Sequence, residues 1–211
     1  LAVEELNKKN IKVVRMGKGA GTEWSHDKTQ NIDYALSKLR SDFLDFFLVK
    51  FSKFTISNTS GFILIPIVLK KPLVLMDYVP IGYMYTFVQN SIHTFKHYYS
   101  IEEKRYLNLK ELLSEKYSTI LRTQGFKELK IKLVDNNPNE IKDCVLEMNS
   151  RLDNTWKSDP KEQEEQKCFW TMFPNNLIKK NNNKVLHGEI ETRIGVKFLK
   201  NYISKYIQNK I

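Results

Sequence analysis

Over the first 150 residues, short runs that are apolar throughout alternate with segments of helical periodicity, and few folds accommodate that alternation. Residues 10–16 (NIKVVRM), 53–57 (KFTIS), 72–76 (PLVLM) and 129–134 (LKIKLV) have the length and the β-branched content of strands. Between them lie helical patterns. Residues 1–9 place Ala2, Val3 and Leu6 on one face. Residues 36–50 repeat Leu36, Leu39, Phe43, Phe46 and Phe47 at helical spacing, and Leu44, Leu48 and Val49 make that segment apolar nearly all round. Residues 61–70 (GFILIPIVLK) read as a short apolar helix, and 108–116 as another with Asn108 as cap and Glu111 at its third position. Asn137-Pro138-Asn139-Glu140 opens a longer helix, with Ile141, Cys144, Val145, Met148 and Leu152 on one stripe.

Strands that are apolar on both sides belong to a parallel sheet covered on both faces. The expectation is therefore an α/β fold, Rossmann-like, with a mainly parallel sheet, right-handed crossovers and helices on both faces. Residues 1–152 form that domain. Residues 153–211 are read as a C-terminal extension: a charged connection or exposed helix (153–168), an Asn/Lys-rich loop (175–188) and a final amphipathic helix (190–208). Ile194, Phe198, Tyr202 and Tyr206 lie on one stripe of that last helix, which is expected to pack on the domain. Residues 1–10 read as the interior of a domain, so a longer polypeptide is expected.

Composition narrows the function classes. The 211 residues are 41% hydrophobic, enough for a packed core, and no run reaches the roughly 18 apolar residues of a membrane span. The net charge is +10, but the lysines are dispersed and the pairs Lys70-Lys71 and Lys179-Lys180 are isolated. A nucleic-acid partner is therefore not expected; a basic RNA-associated domain would show strongly salt-dependent RNA binding. Cys144 and Cys168 have no metal-ligand spacing, and Cys144 reads as inert core. Of His26, His93, His97 and His187, only His93 and His97 have a spacing that can bind zinc on a helix, without an acidic or Cys partner in sequence. Asp42 and Asp45 share a helix face but form no DxD pair. No metal site and no cofactor are expected.

In parallel sheets ligands sit at the carboxyl ends of the strands. That rule points to Gly17 to Gly21, to Ser57 to Gly61 and to Asp77 to Tyr85. The sharpest of these is Ser57-Asn58-Thr59-Ser60-Gly61, a turn between strand and helix with three hydroxyls and a glycine that permits close approach to the backbone. Such a turn can seat a diphosphate on N–H groups. The plainer alternative is an ordinary Ser/Thr helix cap. It lacks the lysine of a P-loop. Arg15, at the end of its strand, can hold phosphate bidentately or pair with Asp33 or Asp42. Tyr78, Tyr83 and Tyr85 can stack on a ring or simply pack.

The segments VVRMGK (13–18), IDYALSKLRSDFLDFFL (32–48), FTISNTSG (54–61), KPLVLMDYVPIGY (71–83) and NPNEIKDCVLEM (137–148), with RIGVKFLKNY (193–202), resemble a bacterial family of glycosyltransferases encoded with surface-polysaccharide genes. The strand, turn and helix around residues 54–61 are also similar to the donor domain of heptosyltransferases and other GT-B enzymes. The resemblance implies a two-domain GT-B enzyme, of which this chain supplies the C-terminal, donor-binding half. Arg15, Ser57, Thr59, Ser60 and Gly61 would line the donor phosphates. Gly17, Asp33 and Tyr34 would lie near the same cleft. The reaction implied moves a sugar from a nucleotide-diphosphate donor to a hydroxyl of a glycan or lipid-linked acceptor, without a metal. It implies a cytoplasmic location at the inner face of a membrane, with peripheral association. No general base is named, because in GT-B enzymes the acceptor half often supplies it. A non-catalytic phospholigand-binding or scaffold module is the competing expectation.

Overall fold

The computed structural model describes the chain except for residues 20, 25, 26, 28, 174–178, 181–183, 186–189 and 208–211, and except for the side chains of 179, 180, 184, 185 and 205–207. Helix α1 (Ala2–Lys8) leads into strand β1 (Val13–Arg15), which pairs in parallel with β2 (Asn31–Asp33). A 3₁₀ turn at Tyr34–Leu36 follows, and then helix α2 (Asp42–Phe51). The sequence pattern placed that helix at 36–50. It starts later because the Tyr34 hydroxyl accepts the Ser41 N–H at 3.1 Å, and Ser41 Oγ caps the helix by accepting the Leu44 N–H at 3.2 Å. Both bonds hold residues 37–41 outside the helix.

Strand β3 (Thr55–Ser57) is followed by a 3₁₀ turn at Gly61–Ile63 that runs on into helix α3 (Leu64–Val68), and then by β4 (Leu73–Tyr78). Next come β5 (Ser91–Phe95), β6 (His97–Ser100) and β7 (Arg105–Tyr106). Helices α4 (Leu109–Leu112), α5 (Glu115–Ser118) and α6 (Thr123–Glu128) precede β8 (Ile131–Val134). Helix α7 (Pro138–Leu152) carries the expected capping box, with Asn137 Oδ1 accepting the Glu140 N–H and Glu140 returning a carboxylate oxygen to the Asn137 N–H. Helix α8 (Pro160–Met172), the short antiparallel strands β9 (Lys179–Lys180) and β10 (Lys184–Val185), strand β11 (Arg193–Ile194) and helix α9 (Val196–Ile207) complete the chain.

The main sheet is parallel throughout, in the order β11-β5-β4-β3. Helices flank it, which gives the α/β, Rossmann-like architecture that the sequence implied. Strand β4 is buried almost completely, the reason its sequence is a continuous apolar run. A second sheet, β7-β6-β8, is antiparallel, and β6 continues β5 beyond Lys96.

Strand β5 had no apolar signature in the sequence. Its Ser91, His93 and Thr94 are buried. Ser91 shares a 2.5 Å hydroxyl hydrogen bond with Thr192, and Thr94 donates to Asn136. Partners inside the fold replace water for those two side chains, so polarity does not mark exposure here.

The last segment corrects the sequence reading. Residues 190–208 are not one helix: Arg193–Ile194 join the parallel sheet beside β5, and α9 begins only at Val196. Gln166 of α8 fixes this strand by donating to the Ile194 carbonyl at 2.7 Å and accepting the Ile194 N–H at 3.0 Å. Gly195 then packs so tightly that a Cβ would lie 2.3 Å from Cys144 Sγ. Ile194, Phe198 and Tyr202 are buried, as the stripe implied; the Tyr206 side chain lies outside the described residues. Phe95 stacks on Phe169 and meets Phe198 and Tyr202 edge-on, so one aromatic cluster joins β5, α8 and α9.

His93 occupies the middle of this core. It is fully buried, lies parallel to the Tyr78 ring at 6.0 Å, and neither ring nitrogen has a partner among the described residues. Burial holds its pKa down at about 3, against an ordinary 6.5. The folded protein therefore keeps His93 neutral where the unfolded chain takes up a proton, and stability falls as pH drops below 6.5. At about 1.4 kcal/mol per pH unit, this one group lowers stability by about 2 kcal/mol between pH 6.5 and 5. Urea denaturation at pH 7 and pH 5 is expected to show that much less loss in His93→Phe than in the wild type. An equal loss in both would assign the pH dependence elsewhere.

Candidate functional site

The eight residues expected to face the donor fall into two groups at strand carboxyl ends. The first is the turn after β3. Ser57 is half-buried, and Asn58, Thr59, Ser60 and Gly61 are exposed. The Asn58 carbonyl organises the turn: it accepts the Ser57 hydroxyl at 3.1 Å and the Ser60 N–H at 2.8 Å. The Ile63 N–H returns to the Ser60 carbonyl at 3.2 Å. Among the described residues, the N–H groups of Thr59, Gly61 and Phe62 have no acceptor.

The ordinary-cap alternative does not describe this turn. Ser60 is the residue before the 3₁₀ turn, but its hydroxyl makes no capping bond. Gly61 is also not demanded by local geometry. It does not adopt a positive φ, and a Cβ there would meet nothing within 4 Å. The helical segment is short, so its macrodipole is small and the N–H groups themselves are the main source of positive potential at the turn.

Asp77, at the end of the neighbouring strand β4, shapes the adjoining rim. Its backbone is left-handed (φ 57°), its N–H is shared between Thr94 Oγ1 and Asn136 Oδ1, and its carboxylate accepts the Asn136 N–H at 2.7 Å. Burial raises its pKa, opposed by that backbone hydrogen bond. These bonds accompany a register shift between Leu75 and Tyr78.

The second group surrounds β1 and β2. Arg15 Nε donates to Asp33 Oδ1 at 2.8 Å and one Arg15 amino group donates to the Thr22 carbonyl at 2.7 Å. The other Asp33 oxygen accepts the Trp24 N–H at 3.1 Å. Gly17 ends the strand with φ 112°, a conformation that favours glycine. Tyr34 is buried and its hydroxyl is engaged with Ser41. Arg15 and Asp33 thus form the internal ion pair that was the alternative reading of Arg15, and the pair tethers the loop carrying Thr22 and Trp24. Among the described residues no hydrogen bond joins this group to the 57–61 turn.

Other sequence candidates resolve into structure. Tyr78 is buried, donates to the Tyr83 carbonyl at 2.8 Å and packs edge-on against Tyr85, so it serves packing. Asp45 pairs with Arg40 at 3.7 Å, and Asp42 lies in the first turn of α2. Cys144 is buried, which pushes its thiol pKa well up. Among the described residues no three His, Cys, Asp or Glu side chains gather in a metal-binding group. His26 and His187 lie outside the described residues.

His93 and His97 stand on strands, not on a helix, and His97 has a partner that the sequence did not reveal. Its Nε2 lies 3.1 Å from both carboxylate oxygens of Glu140. The pair lines a cavity of about 150 Å³ with Tyr106, Asp135, Asn137 and Tyr202. Glu140 was legible as part of a capping box; its second partner was hidden because β6 was not recognised as a strand. No residue of the 57–61 turn lines this cavity.

Comparison with protein-family models, with curated proteins and with solved structures finds no match for this chain. The fold and the turn therefore define the class on physical grounds alone: an α/β protein with a mainly parallel, Rossmann-like sheet and an exposed amide-rich turn at a strand carboxyl end.

Arg15→Ala removes two tethers and leaves a half-buried Asp33 without its cation. Urea denaturation is expected to show a loss of about 1–3 kcal/mol. An unchanged midpoint would show that the ion pair carries no structural weight.

Proposed function

We propose that this chain is the donor-binding half of a metal-independent glycosyltransferase of GT-B type. It takes a nucleotide-diphosphate sugar and serves transfer of the sugar to a hydroxyl of a glycan or lipid-linked acceptor, in surface-polysaccharide synthesis on the cytoplasmic side of a membrane. The observation that carries this reading is the turn at 57–61, where the N–H groups of Thr59, Gly61 and Phe62 lack acceptors among the described residues and Thr59 and Ser60 are exposed. Donors of that kind hold an anion without a cation partner. The open space in front of Gly61 supports the same reading, since it allows a phosphate oxygen to reach the backbone.

The chemistry asked of the turn is electrostatic. Charge builds on the departing diphosphate as the sugar–oxygen bond breaks, and fixed N–H and O–H donors stabilise that charge without reorganising. Each well-placed donor contributes about 2.7–4 kcal/mol to such a transition state. Arg15 has one role in the fold through Asp33 and Thr22; its other amino group, with no hydrogen bond among the described residues, is the part left for a phosphate.

A non-catalytic phospholigand-binding module is the second reading. It is favoured by one observation: among the described residues no carboxylate or imidazole is hydrogen-bonded to the turn. Assay of the turn together with an acceptor domain separates the two.

Calorimetric titration with UDP-, GDP- and ADP-sugars tests donor binding. Ser60→Ala is expected to weaken it about tenfold, and Gly61→Val by more, because the new side chain fills the approach to the amides. Both variants should keep the wild-type thermal midpoint, as neither residue makes a packing contact that the fold needs. Affinity unchanged in both would remove the turn as the donor site.

A further inference from the structure

Helix α2 is apolar on nearly every side, and the fold leaves much of it uncovered. Phe43, Phe47 and Phe51 form a ladder along its outer face, with ring centroids 5.9 and 4.6 Å apart, and Phe43 and Phe51 are each 72% exposed. Phe46 is exposed as well, and Leu39, just ahead of the helix, is 74% exposed. Helix α3 packs beside α2 and adds Leu64 and Val68, one turn apart and both exposed. Single exposed apolar residues need no explanation, but a patch built on two adjacent helices marks an interaction surface.

Charge selects the occupant. Between residues 36 and 71 there are six cations (Lys38, Arg40, Lys50, Lys53, Lys70, Lys71) and two acids (Asp42, Asp45). Arg40 pairs with Asp45, and Lys53 with Asp153. Lys38, Lys50 and Lys70 are exposed, Lys50 on α2 between Phe47 and Phe51 in sequence and the other two in the segments that flank α2 and α3, on a chain of net charge +10. A second copy docked face to face would set this cationic rim against itself. A bilayer carrying anionic lipid accepts both parts, the phenyl rings at the acyl boundary and the ammonium groups among the phosphates.

We propose that the α2–α3 face is a peripheral membrane-binding surface for anionic lipid. Helix α3 grows directly out of the 57–61 turn, so the contact holds that turn near the bilayer. In so far as this makes the acceptor lipid-linked, it rests on the sugar-transfer reading. The membrane contact itself does not.

Vesicle sedimentation of the full chain tests the proposal. The protein should sediment with vesicles of equimolar phosphatidylcholine and phosphatidylglycerol, much less with phosphatidylcholine alone, and less as salt is raised. The triple variant Phe43→Ser, Phe47→Ser, Phe51→Ser should lose at least about tenfold in vesicle affinity, since each inserted ring contributes on the order of that factor. Lys38→Gln with Lys50→Gln and Lys70→Gln should lose the preference for anionic lipid. Circular dichroism and titration with nucleotide sugars should be unchanged in both, because these residues lie outside the turn, so a failed donor site and a failed membrane surface give different results. Sedimentation of the triple serine variant equal to the wild type would overturn the proposal. So would absence of vesicle binding by the wild type, whether or not it dimerises through these phenylalanines.

Discussion

Parallel pairing is the constraint on which the rest of this molecule depends. Because β3, β4, β5 and β11 run the same way, their carboxyl ends come to one rim. Each return path must then cross a face of the sheet, which explains why helices cover β4 and why that strand carries no polar side that alternates with an apolar one. The same geometry ends β3 abruptly at an edge of the sheet, where the chain turns back through Asn58 to Gly61. There the N–H groups of Thr59, Gly61 and Phe62 have no acceptor among the described residues, the last two because the first N–H groups of a helical segment have none within it. The candidate site is thus a consequence of how this strand stops.

The C-terminal segment is tied into that sheet by polar groups as much as by apolar packing. Glu147 of α7 accepts the Val196 N–H at 2.7 Å and so supplies the start of α9 with an acceptor. Glu162 of α8, nearly buried, accepts from Arg151, Arg193 and the Trp156 indole. Burial alone would raise the pKa of Glu162, yet the arginines and the indole bring it below the ordinary value; for Glu147 burial prevails and the pKa is raised. The two carboxylates differ in their partners: Glu162 faces two arginines and an indole, whereas Glu147 accepts the Arg151 Nε–H at 2.9 Å and the Val196 N–H. Together with Gln166 they specify a two-residue strand that backbone propensity alone would not fix.

Two of the four strands of the main sheet, β3 and β4, were legible in the sequence; the strands expected at 10–16 and 129–134 pair elsewhere, β1 with β2 and β8 with β6, and the exceptions have physical causes. Strands β3 and β4 and helix α7 were readable because burial or capping wrote directly on their residues, as in PLVLM and Asn137-Pro138-Asn139-Glu140. Strand β5 was not, because its polar residues are buried, and Ser91 and Thr94 answer to distant partners, Thr192 and Asn136. Strand β11 was hidden for a different reason: Arg193 and Ile194 fit a helical stripe as well as a strand, and only Gln166 and Gly195 decide between them. Within the site, the Ser57 to Gly61 turn was visible as a composition, but the missing cap bond of Ser60 and the amides without an acceptor among the described residues were not. The internal use of Arg15 could be listed in advance only as one of two outcomes, since a sequence does not say which carboxylate lies within reach.

The most direct test of the anion seat observes the amides themselves. Backbone NMR spectra recorded while inorganic pyrophosphate is added should show the Thr59, Gly61 and Phe62 N–H resonances moving downfield together in a saturable way, with slowed solvent exchange, as each acquires an acceptor. If pyrophosphate binds elsewhere, or not at all, while those three resonances stay in place, the turn after β3 is not an anion site and the account built on it is wrong.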